Sequence, residues 1–168
     1  MVQPAKPPAL VAAFEQLHLR LKRLAATITG NQEDAEDTLQ DAFLKISSKF
    51  SDEKSVEVRD WRNYIFRVLS NLCSSRLTAL GKLRTIPLDA RLDIADLPTE
   101  NDESDYQRIA KLLVEIPEEQ AEVIRLRIYG NNSFADVAEI LSLPLPTVKS
   151  RFLYGLEKIR KAMKQTNH

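Results

Sequence analysis

No part of this chain constrains its fold more than the stretch from Ile116 to Met163, where helical patterns follow one another in the order of a helix-turn-helix. Phe134, Val137, Ala138 and Leu141 recur at spacings of three and four, which puts one apolar stripe on a short helix beginning near Ser133. Ser133, with Asp136 three residues on, suits that start because its hydroxyl can accept a backbone N–H that has no partner within the helix. Ser142 to Pro144 read as the turn. Val148, Phe152, Leu156 and Ile159 then predict a second amphipathic helix, whose first turn tolerates Pro146. At about 100° per residue, Thr147, Ser150, Arg151, Tyr154, Lys158 and Lys161 fall opposite that stripe. Hydroxyls and cations so arranged suit base edges and phosphates in a major groove, although charge opposite an apolar stripe also describes an ordinary solvated helix.

The rest of the sequence limits what such a module belongs to. With 168 residues, 43% of them hydrophobic, the chain can bury one medium core or two small ones. No apolar run approaches the roughly 20 residues that cross a bilayer, and MVQPAKPPA lacks the apolar centre of a secretion signal. A cytoplasmic protein without membrane insertion is expected. The single cysteine, Cys73, excludes an intramolecular disulfide, and His18 and His168 have no ligand cluster, so neither metal nor cofactor is expected. No nucleophile with a base and no phosphate-cradling glycine loop points to an enzyme. Net charge is zero, but from Thr147 onward Lys149, Arg151, Lys158, Arg160, Lys161 and Lys164 oppose only Glu157. Positive charge therefore collects on and after the last helix.

Periodicity elsewhere predicts an all-α chain of two small helical domains, an N-terminal bundle at 9–80 and a helix-turn-helix domain at 105–168. Leu10, Phe14, Leu17, Leu21, Leu24 and Ile28 form the seam of a first helix, and Gly30 supplies its stop. A second helix, about Gln32 to Phe50, buries Ala35, Leu39, Ala42, Phe43, Ile46 and Phe50. A third, about Val58 to Leu77, buries Trp61, Ile65, Val68, Leu69 and Leu72. Between Gly81 and Ser104 periodicity fails and acids outnumber bases, so residues 81–104 read as a flexible acidic linker.

Two outer faces in the first module invite partners. On the second helix Asp37, Gln40 and Asp41 surround Leu44, with Asp34 and Glu36 on the flanks of the first turn. Acids near a helix N-terminus favour its dipole without further purpose, yet an apolar residue within an acidic patch also suits a basic docking partner. Opposite the Trp61 stripe of the third helix stand Arg59, Arg62, Asn63, Phe66, Arg67, Ser70, Asn71 and Ser74. Cations, amides and an aromatic ring suit single-stranded or distorted DNA; alternatively the face is an ordinary surface and Phe66 touches a neighbouring loop.

Together these segments resemble the extracytoplasmic-function sigma factors, the two-domain branch of the sigma-70 family of bacterial RNA polymerase. NQEDAEDTLQDAFLKI at 31–46 is similar to the family's AED-x-x-Q-x-x-F segment, with Ala35, Glu36, Asp37, Gln40 and Phe43 in matching places. DWRNYIFRVLSNL at 60–72 resembles the stretch with a tryptophan and an asparagine ten residues later. Pro117 to Gln120, FADVAEIL and Thr147 to Arg151 resemble the family's −35-reading module. The resemblance implies that Asp34, Glu36, Asp37, Gln40, Asp41 and Leu44 meet the clamp helices of core polymerase. It also implies −10 contacts from Arg59, Arg62, Asn63, Phe66, Arg67, Asn71 and Ser74, and −35 contacts from Thr147, Lys149, Ser150, Arg151, Tyr154 and Lys158. An anti-sigma factor is the further implied partner. The chain departs from the pattern at Ser75, in place of the basic cluster that follows Asn71, and at Tyr154, in place of an arginine. The alternative is a sigma-like decoy that titrates an anti-sigma factor without directing transcription.

Overall fold

The computed structural model describes residues 8–50, 60–79 and 103–166, and every regular element among them is helical. Helix α1 (Pro8–Thr29), α2 (Gln32–Lys49) and α3 (Trp61–Ala79) form the N-terminal bundle. Helix α4 (Glu103–Leu112), α5 (Glu118–Ile124), a π-helical turn (Arg125–Tyr129), α6 (Phe134–Leu141) and α7 (Leu145–Thr166) follow. Arg59 and nearly all of the expected linker lie outside the described residues.

Local chemistry sets the boundaries. Gly30, at φ 90°, closes α1 in the left-handed region that glycine enters without a Cβ penalty. Asn31 caps α2, its side chain accepting from the Asp34 N–H at 2.7 Å. Asp60 starts α3 by accepting from the Arg62 N–H at 3.0 Å. Ser133 caps α6 through the Asp136 N–H at 3.0 Å, as its spacing predicts. In the turn between α6 and α7, Ser142 adopts φ 55° without being glycine.

The apolar seam of α1 is buried along its length and meets Ala35, Leu39, Ala42 and Ile46 of α2 and Ile65, Leu69 and Cys73 of α3. This core does not stop at the first module. Val123, Leu126, Val137, Ile140 and Val148 continue it into the helix-turn-helix, while Ala110, Leu113, Ala121, Ile124, Tyr129 and Ile159 make a second, smaller cluster. Helices α1 and α3 thus hold the π turn and α6 directly.

Candidate protein and nucleic-acid interfaces

Helix α2 turns its alanines and branched residues inward, which leaves Asp34, Glu36, Asp37, Gln40, Asp41 and Leu44 all exposed. Leu44, 53% exposed, is an apolar knob among acids. Lys22 of α1 reaches Glu36 at 2.8 Å, and that hydrogen bond and charge hold the Glu36 carboxyl below its ordinary range. All six residues thus reach solvent together, with Glu36 paired to Lys22.

The α3 face is different, and the sequence reading of it needs correction. Phe66, expected on the outer face, is completely buried: Arg20 lies over its ring at 5.4 Å, and a Cβ on Gly130 would stand 3.2 Å from its edge. Asn63 is buried as well, donating from Nδ2 to Glu139 at 2.7 Å, while its Oδ1 has no hydrogen-bond partner. Arg62 reaches Asp136 at 3.4 Å. Arg67 donates to the Ile140 carbonyl at 2.9 Å, to the Glu139 carbonyl and to Ser142 Oγ. These bonds supply donors to the C-terminal carbonyls of α6, of which that of Glu139 also accepts from the Ser142 N–H at 3.3 Å. Ser70 is buried, Asn71 is exposed and Ser74 is half-buried, so the face is closed over most of its length by the second module. Local periodicity does not register this because the covering groups are remote in sequence: the α3–α6 bonds join residues 72 to 76 positions apart.

Arg20 completes the closure, a role that nothing in its own segment signals. From α1 it donates to the carbonyls of Gly130 at 2.7 Å and Asn131 at 3.0 Å, and to Asn132 Oδ1 at 3.1 Å. Burial, and then the nearby Arg62 charge, lower its guanidinium pKa. The carboxylates of Asp60, Asp136 and Glu139 come within 4.8 Å of one another at this junction, and each accepts from a protein donor.

On α7 the structure rotates the expected exposed face. Val148, Gly155 and Ile159 are buried, and a Cβ on Gly155 would come within 2.5 Å of Ile124 Cδ1, so α5 crosses α7 at the glycine. The flank beside that crossing carries Thr147 and Arg151, both half-buried, and Lys158, which donates to Gln120 Oε1 at 3.1 Å. Arg151 is near enough to Glu122 of α5 for its charge to favour that carboxylate's ionised form. It is therefore not the outermost residue of the helix, as its position in the apolar pattern implies. The face most open to solvent carries Lys149, Ser150, Leu153, Tyr154 and Glu157. Leu153, which the expected stripe and the expected polar face both omit, is 65% exposed, and Tyr154 is 61% exposed.

A model described as Sigma-70 region 2 matches residues 13–82, and one described as Sigma-70, region 4 matches residues 112–161. The ECF RNA polymerase sigma factor SigM of Mycobacterium tuberculosis is 32% identical over 147 residues, covering 83% of this chain and 71% of SigM. The chain belongs to the ECF sigma factors of the sigma-70 family. SigW of Bacillus subtilis, also an ECF RNA polymerase sigma factor, is 26% identical over 163 residues, covering 86% of this chain and 83% of SigW. Among solved structures, CnrH in complex with the cytosolic domain of CnrY matches with a TM-score of 0.66 and 18% identity, over 95% of this chain and 90% of that one. The sigma factor RpoE, in complex with the anti-sigma factor NepR from Bartonella quintana, matches with a TM-score of 0.62 and 22% identity, over 93% and 94% of the two chains. Those likenesses establish a shared fold. As an ECF sigma factor this protein regulates transcription by directing RNA polymerase to promoters. Among the described residues, no helix is long and apolar enough to cross a membrane.

Proposed function

We propose that this sigma factor divides its task between a core-binding and −10-binding domain at 9–80 and a −35-binding domain at 105–168, joined by the linker at 81–104. Asp34, Glu36, Asp37, Gln40, Asp41 and Leu44 on α2 dock the clamp helices of core polymerase. Asn71 and Ser74, with Arg59, meet the −10 element; Arg62, Asn63, Phe66 and Arg67 join them only when the second module moves away. Lys149, Ser150 and Tyr154 enter the −35 major groove, with Thr147, Arg151 and Lys158 at its edge. It acts in the cytoplasm by binding, without catalysis of its own. An anti-sigma protein is the natural antagonist, in keeping with the anti-sigma factor bound to RpoE.

The observation that carries this reading is that the acidic face of α2 and the leading face of α7 both stand open on one chain. Core polymerase holding both domains gives each promoter element a locally high concentration of its reader, so two weak sites combine into one selective one. Promoter-specific transcription by purified chain plus core polymerase on a library of randomised promoters tests it. Initiation at a defined pair of elements is expected. Core binding with initiation nowhere would favour the decoy.

A further inference from the structure

We infer that Leu153 is a specificity-determining residue of the −35 reader, selecting a thymine through its 5-methyl group. The inference rests on the proposed −35 role of α7. Large apolar side chains exposed among the described residues are Leu19, Leu44, Leu145, Leu153 and Tyr154, and the last three lie on α7 within its first ten residues. Single exposed leucines are ordinary, but this one stands on the outermost line of the helix. Lys149 and Ser150 precede it by four and three residues and Glu157 follows by four, so it sits between hydrogen-bonding and charged groups on one face. The opposite side of α7 is taken up by Val148, Gly155 and Ile159, which pack into the module. Nor does the first module cover this face: the closure that hides Phe66 runs through α6 and the π turn.

A major groove carries donors and acceptors on every base pair, but the thymine methyl is its one exposed apolar group. An apolar side chain at the leading edge of a groove-entering helix therefore has one kind of favourable contact there, and over any other base it would desolvate polar edges without replacing their hydrogen bonds. Lysines 149, 158 and 161, all exposed on the same helix, supply the charge that draws it to DNA in preference to an apolar protein groove.

The test uses holoenzyme assembled from core polymerase and the full chain. A −35 element is first selected from a randomised library, and each thymine in it is then replaced singly by deoxyuridine, which removes only the methyl group. Burying one such group is worth about 0.8 kcal/mol, so wild type should bind about fourfold more weakly at one position. Leu153→Ala should bind the thymine duplex more weakly and show no further loss on deoxyuridine at that position. Alanine at an exposed helical site keeps the fold, which unchanged helicity would register. Wild type that binds thymine and deoxyuridine alike everywhere overturns the inference, as does Leu153→Ala that keeps the full methyl preference, an outcome that would assign the patch to a protein partner. An element of G·C pairs alone also overturns it. If no −35 preference emerges from the library, the −35 role of α7 falls first, and the leucine inference with it.

Discussion

Glu122, a half-buried carboxylate of α5, makes the stability of the second module depend on pH in one direction. It shares a small cavity between the modules with Glu118, Arg125, Ser70 and Ser74, and burial, then the Glu118 charge, raise its carboxyl above the ordinary range, against the pull of Arg125 and Arg151. A raised acid binds more protons folded than unfolded, so the penalty for its charge is absent below the unfolded value and grows as pH rises through the folded one. Glu122→Gln should therefore raise the urea midpoint at neutral pH and leave it unchanged in acid below the ordinary carboxyl range. Trp61 illustrates a different residue-scale point. It is half-buried, with edge contacts to Phe50 at 5.2 Å and Tyr64 at 6.2 Å. Trp61→Ala should consequently cost less than the roughly 3–5 kcal/mol of a fully enclosed aromatic, read by chemical denaturation.

Helix α7 is where element-level reasoning gains and loses most. Gly155 lets α5 approach so closely that a β-branched residue there must displace the enclosed Ile124, and Gly155→Val should destabilise the chain by about 1–3 kcal/mol, measured by thermal unfolding. Apolar spacing alone made α6, α7 and the Ser133 cap legible, because each depends on neighbours within one or two turns. It misjudged the rotation of α7 because glycine carries no hydropathy: the point of closest packing was invisible, and Phe152 and Leu156, both half-buried, drew the expected stripe toward themselves. The sequence places Ser142 in a turn but does not signal its left-handed backbone, since no glycine marks it. The acidic face of α2 was fully legible, since it needs only the period of one helix and the partners of one bundle. Asn63 and Phe66 were not, since Asn63 is covered from the other module and Phe66 by Arg20 of α1 and the segment at Gly130.

At the scale of the whole molecule, α6 gives the donors of α3 anionic and carbonyl acceptors, the carboxylates of Asp136 and Glu139 and the carbonyls of Glu139 and Ile140, in the places that the phosphates and base carbonyls of the proposed −10 DNA would take. Changing the α6 side tests this without touching the proposed −10 reader. Asp136→Ala with Glu139→Ala should increase the distance between fluorophores placed on the two modules and strengthen binding of single-stranded −10 DNA by the free chain, with α2-mediated core affinity unchanged. An unaltered distance and unaltered DNA affinity would assign the contact no restraining part.

The contact between α3 and α6 also has a signature in how binding scales. With α3 as the proposed −10 reader, α6, tethered to the surface it covers, would act as a competitor in cis, and diluting the protein would not weaken it. The apparent dissociation constant for −10 DNA should be the intrinsic one divided by the fraction of molecules that stand open. Titrations at widely different protein concentrations should accordingly yield the same right-shifted midpoint.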